Sequence, residues 1–112
     1  MGIGENKVIR ATGAAAIATA LTPPTTTAVL LVSVKLNLSA TGGAAEDFTV
    51  TINSATDSVY DTIIFSQDMN TVQDLMWLPD QPIPVVNSDV VDFAYANSNS
   101  RTYGLEVIYR NA

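Results

Sequence analysis

Cysteine and histidine are both absent from the 112 residues. Without cysteine there is no disulfide, no thiolate nucleophile and no thiolate metal site, and the redox compartment leaves no trace. Without histidine, the usual acid–base group near neutral pH and the commonest metal ligand are missing. Positive charge is scarce too: five Lys and Arg stand against eleven Asp and Glu, a net charge of −6. Nucleic-acid affinity rests largely on cations that neutralise phosphates. No basic stripe occurs, so no nucleic-acid partner is expected, and the acidic balance mainly favours solubility. No segment approaches the roughly 18 continuous apolar residues that mark a membrane-crossing helix, so no membrane partner is expected either. No internal repeat is visible.

What is present is strand-like. The dominant period is two. In Leu30 to Leu38 every even position is apolar, while Ser33, Lys35 and Asn37 face the other way, and Phe48 to Asn53 repeats the rule. Such alternation marks strands with one face in a core and one in solvent. Leu30, Val32, Val34, Leu36, Phe48, Val50, Ile52, Phe93, Leu105 and Val107 are the expected core. Further strands are expected at Val59–Phe65, Val72–Leu78, Val90–Ala96 and Thr102–Tyr109, with one more between Lys7 and Leu21. Ile83–Val86 carries Pro84 and follows Pro82, so it reads as an edge strand or an extended strap. If the last two strands form a hairpin, their apolar sets share a core only when the loop around Ser98–Asn99–Ser100 holds three or five residues.

Turn signals separate the runs: Pro23-Pro24, Thr41-Gly42-Gly43, Asn53 to Ser58, Asn87-Ser88-Asp89 and Asn97 to Ser100. Ala11 to Leu21 has helix propensity but no apolar stripe at helical spacing. The expected fold is therefore all-β: an antiparallel sandwich, jelly-roll-like, of seven or eight strands. Residues 1–27 form an extended N-terminal arm or first strand, and residues 28–112 the sandwich domain. Lys7 and Arg10 before the Ala-rich run imitate a secretory signal only loosely, because Thr12, Gly13 and Thr19 interrupt it. The segment is expected to be retained. Met1-Gly2-Ile3-Gly4-Glu5-Asn6 lacks the Ser or Thr of a myristoylation site.

Catalytic equipment is thin. Ser and Thr abound, but no histidine activates them, and Lys7 and Lys35 are the only lysines. Neither sits in a recognisable Ser–Lys setting. Carboxylates close in sequence (Asp57 and Asp61, Asp68 and Asp74, Asp89 and Asp92) lack anything that fixes them across a cleft. Asp57, Asp80 and Asp89 sit in turns, where Asp commonly bonds its own backbone. Asp89 and Asp92 with Asn87 and Asn97 offer oxygens to calcium, but no spacing resembles a calcium loop. Gly42-Gly43 is a turn, not a phosphate cradle. No enzyme activity, metal or cofactor is expected.

Two segments exceed the needs of a plain sandwich. Met69 to Val86 holds Trp77, the only tryptophan, among Met and Pro residues. Trp77 either caps one end of the sandwich or belongs to an apolar patch for a partner. Met1 to Thr27 has few bulky apolar residues to hold itself down, so packing on a neighbouring chain, pairing within the sheet, or both, are open to it. Met1, Ile3, Lys7, Val8, Ile9 and Arg10 of the arm, with Trp77 and Pro79, are the candidate partner contacts.

Short length, no Cys or His, an Ala/Thr-rich start, alternating strands, Trp77-Leu78-Pro79-Asp80-Gln81-Pro82-Ile83, Asn87 to Phe93 and Tyr103 to Tyr109 run through most of the chain. In this design the chain resembles the small jelly-roll capsid decoration (head cement) proteins of tailed bacteriophages. The resemblance is in overall design and carries no residue-level contact motif. It implies a structural virion protein on the capsid surface, a homo-oligomer, typically a homotrimer, that clamps neighbouring copies of the major capsid protein. Decoration ranks ahead of a tail or neck component. The alternative is a receptor- or carbohydrate-binding β-sandwich module of a virion or cell surface, which needs several exposed aromatics.

Overall fold

Nine strands and one short turn of 3-10 helix make up a computed structural model that describes residues 5–24, 27–86 and 88–112. The strands are β1 (Asn6–Gly13), β2 (Ile17–Leu21), β3 (Val29–Leu38), β4 (Asp47–Asn53), β5 (Thr62–Asp68), β6 (Asp74–Trp77), β7 (Ile83–Val85), β8 (Val90–Tyr95) and β9 (Tyr103–Asn111). Every pairing is antiparallel. One sheet runs β1-β9-β3-β6, with β7 also on β3, and the other runs β2-β8-β4-β5. Because β9 occupies one side of β3 along most of its length, β6 and β7 share the other side, β7 on Val29–Leu31 and β6 on Val34–Asn37. They act as one strand interrupted at residues 78–82. Nine segments thus fill eight strand positions, in the order of a jelly roll.

The core lies between the sheets. Phe48, Phe93, Leu21, Leu31, Leu36, Leu38, Met69 and Leu105 are its largest fully buried side chains. Of the expected core residues, Val34, Leu36, Phe48, Val50, Phe93, Leu105 and Val107 are buried, and Ile52 is half-buried against the core. Leu30 and Val32 are not in it; Val29 and Leu31 are. The reason is a β-bulge. Leu31 pairs with Tyr109 but Ser33 pairs with Ile108, so Val32 is an extra residue in β3 and inward parity changes from odd to even across it. The even-numbered alternation holds only from Val34 onward.

The last two strands do not form a hairpin. β8 pairs with β2 and β4, whereas β9 pairs with β1 and β3, so residues 96–102 pass from one sheet to the other. Asn97 holds this crossing. It is buried in the left-handed region (φ 52°), which Asn tolerates. Its Nδ2 donates to the carbonyls of Ala15 and Arg101, and its Oδ1 accepts from the Arg101 amide, each at 2.9 Å. Ahead of β3, the chain makes two strands, β1 and β2, rather than one. They are the edge strands stacked at one side of the sandwich, and β5 and β6 lie at the other. There Phe65 of β5 stacks on Trp77 of β6, ring centroids 4.9 Å apart and 19° from parallel, joining the two sheets.

Candidate functional site

Register fixes which side chains of the first sheet face outward. Successive cross-strand rows on that face are Asn6–Arg110–Leu30–Pro84, then Val8–Ile108 beside the bulge, then Arg10–Glu106–Lys35–Met76, then Thr12–Gly104–Asn37–Asp74. The charged row is paired internally, two cations sharing one carboxylate. Arg10 Nε lies 2.8 Å and Lys35 Nζ 3.2 Å from the two carboxylate oxygens of Glu106. The hydrogen bond from Arg10, then that from Lys35, holds the Glu106 carboxyl below its ordinary pKa. Beside this row, Gly104 presents no side chain. The surface sinks into a depression of about 400 Å³ between Arg10, Thr12, Asn37 and Glu106, adjoining another of about 450 Å³ between Lys35, Asp74 and Met76.

On the other flank of the ion-paired row the face is apolar. Val8 is exposed there, as is Leu78, which follows β6, and the exposed Met76 ends the ion-paired row itself; Ile108, Leu30 and Val32 are half-buried. The bulge that removes Leu30 and Val32 from the core is what leaves them available here. A second bulge acts the same way in the other sheet. Val50 pairs with Phe65 but Thr51 with Ile63, so Ile64 is the extra residue and Ile63 turns outward.

The candidate contacts distribute as follows. Met1 and Ile3 lie outside the described residues. Lys7 and Val8 are exposed on β1, Ile9 turns inward against the core, and Arg10 belongs to the ion-paired row. Trp77 is half-buried in its stack with Phe65, and Pro79 is half-buried in the interruption between β6 and β7. Lys7, Val8 and Arg10 therefore share the β1 edge, while Trp77 and Pro79 stand at the opposite side of the same sheet.

One surface gave no expectation from sequence. The expected strand at Val59–Phe65 begins only at Thr62, because Ser58–Tyr60 forms the 3-10 turn capped by Asp57. The loop is braced throughout. The Ser54 amide donates to Asp61 Oδ1 (2.7 Å), the Ala55 amide to Asp89 Oδ1 (3.2 Å) and the Val59 amide to Asp57 Oδ1 (3.1 Å). Val59 and Tyr60 are left 74% and 64% exposed at its tip. The exposed apolar pair Val59-Tyr60 after a turn-forming Asp57 was the signal in the sequence; alternation with Ile63 and Phe65 disguised it as a strand.

Other carboxylates are also engaged within the fold. Asp68 accepts from the Asn70 amide and Asp92 from Asn53 Nδ2. Among the described residues, no three His, Cys, Asp or Glu side chains group so as to hold a metal ion. Asn87, one of the oxygens considered for calcium, lies outside the described residues. Of the aromatics, Phe48, Phe93, Tyr95 and Tyr103 are buried and Phe65, Trp77 and Tyr109 half-buried; Tyr60 alone among the described residues is exposed. No helix of the described residues is long and apolar enough to cross a membrane. No protein-family model matches the chain, and no similar protein is found among the curated ones.

Proposed function

We propose that this chain is a structural virion protein that decorates the capsid shell of a tailed bacteriophage, binds the major capsid protein and stabilises the assembled head. The observation that supports this most is the outward face of the β1-β9-β3-β6 sheet. Its apolar row from Val8 to Ile108 continues toward Leu78 and runs beside a charged row whose members, Arg10, Glu106 and Lys35, are already ion-paired with one another. A surface of this kind suits burial against another protein: the apolar side chains gain on leaving water and the paired charges stay satisfied at the rim.

Work done by binding alone requires no catalytic group. A protein that binds only the assembled shell stabilises it by mass action, and several copies joined together act with avidity beyond any single contact. The carbohydrate-binding alternative is weakened by the aromatics, since a sugar platform needs rings in solvent and only Tyr60 supplies one among the described residues.

The test compares heads with and without the protein. Heads lacking it assemble, but rupture at lower temperature or under lower internal DNA pressure, and the purified protein restores them. Equal robustness with failed attachment to cells would establish the receptor-binding reading instead.

A further inference from the structure

We infer that the hollow above Gly104 is a socket for an aromatic side chain of a protein partner. The inference rests on the shell-binding reading for the partner's identity, since on that reading the major capsid protein presents the ring. Gly104 is the second residue of β9 and is paired on both sides, with Thr12 of β1 and Asn37 of β3. Glycine weakens a paired strand. Its use there marks a bulge, a left-handed backbone or the close approach of another group. The first two do not apply. The β1–β9 register is unbroken, and the shift in β3–β9 lies far along the strand, between Leu31 and Ser33. Among the described glycines only Gly43 has a positive φ.

The other described glycines are each accounted for inside the chain. A Cβ on Gly13 would stand 3.4 Å from the Tyr103 ring, one on Gly42 would stand 2.5 Å from Tyr95 Oη, and Gly43 has a φ of 76°. A Cβ on Gly104 would meet nothing within 4 Å. The space it leaves is the depression of about 400 Å³, small for a ligand pocket and suited to one side chain. Its chemistry selects a ring. Glycine in a sheet is covered well by an aromatic side chain, and the chain does this itself where Tyr103 covers its cross-strand partner Gly13. The walls are Arg10 and Lys35, two cations that share one carboxylate, so positive charge is in surplus; Asp74 lines only the adjoining depression. Arg10 meets Glu106 through Nε, at the edge of its guanidinium, and its side chain is 76% exposed. The flat faces of the group stay free to stack on a ring, whose negative face suits a cation.

Two measurements test the socket, one of them without heads. In NMR titrations of the purified chain, N-acetyl-tyrosinamide should shift the amides of Gly104, Thr12 and Asn37 saturably. N-acetyl-cyclohexylalaninamide, the same shape without the π-system, should bind about two- to fivefold more weakly, and Arg10→Gln should weaken the tyrosine probe by a similar factor. Gly104→Leu fills the hollow and should abolish the shifts. Because nothing of the chain stands over Gly104, the variant should fold, which circular dichroism checks; Gly104→Ala replaces it if it does not. On heads that lack the protein, Gly104→Leu should bind at least about tenfold more weakly than the unmodified chain, as loss of an anchor pocket does. Ala94→Leu, on the exposed face of the second sheet, should bind heads normally. A tyrosine probe that leaves Gly104 unshifted, a saturated ring that binds as well, or a Gly104→Leu chain that takes the probe or binds heads like the unmodified one would overturn the socket. An unmodified chain that takes the probe but leaves heads bare would support the socket and overturn the shell-binding reading instead.

Discussion

Tyr95 carries the one buried side-chain polar atom among the described residues without a hydrogen-bond partner, its phenolic oxygen. Burial, then the negative charge of Glu46 and of Asp68, pushes its pKa above the ordinary value of 10.0, against a smaller opposing effect of Arg101. The neutral phenol is therefore favoured in the fold. The unfolded chain loses that proton first as pH rises, so stability declines above about pH 10 and goes on declining up to the folded pKa. Tyr95→Phe should remove this alkaline loss and raise stability at neutral pH by about 1 kcal/mol, since an unpaired buried hydroxyl disappears; denaturant titrations at neutral and alkaline pH measure both.

Gly42 lies against the same phenol. A Cβ there would stand 2.5 Å from Tyr95 Oη and from the Met69 carbonyl oxygen. Gly42→Ala should cost about 1–3 kcal/mol through overpacking, and Tyr95→Phe in the same chain should recover part of it. Glu106 behaves oppositely with pH. Its folded pKa is depressed, so its contribution is present above the unfolded value near pH 4.5 and is lost as pH falls through the folded pKa. Glu106→Gln should lower the melting temperature at pH 7 and leave it nearly unchanged in strong acid. Pairing of opposite charges at Arg10, Lys35 and Glu106 was not legible in the sequence, since the residues are far apart and only the β1–β9–β3 register joins them.

At the scale of the strand, alternation located most elements but not the residues that interrupt it. β4, β8 and β9 begin and end close to where apolar and polar residues stop alternating. β3 looked regular because Leu30, Leu31 and Val32 are all apolar, so either parity fitted, and only pairing with β9 places the extra residue at Val32. Deleting Val32 should straighten β3 and keep Val29 and Leu31 in phase with Val34 and Leu36, so the shortened chain should still fold, read as a single cooperative denaturant transition. The exchange of sheets between β8 and β9 was equally hidden. Parity tells which side chains share a core, but it does not tell whether they reach it from one sheet or from two. Trp77 was weighed both as a cap and as a patch residue, and its stack on Phe65 gives it a structural task. Trp77→Ala should destabilise by about 2–4 kcal/mol, below the full range for a completely buried aromatic because Trp77 is only half-buried, and should do so with or without a partner present.

Across the whole molecule, the early strands find their partners among the late ones: β1 on β9, β2 on β8 and β4 on β8. The second sheet lacks its full set of strands until β8, and the first until β9 joins β1 to β3. During synthesis the first two strands therefore leave the ribosome with no partner and wait for almost the entire chain to follow them. Contacts this distant in sequence make folding slow, on the order of milliseconds to seconds for a sandwich, and the waiting strands are open edges meanwhile. Lys7 and Arg10 on β1, and the brevity of β2, lessen that exposure during translation. A nascent chain arrested before Tyr103 should stay sensitive to protease along its length, and release of the last ten residues should confer resistance in a single step.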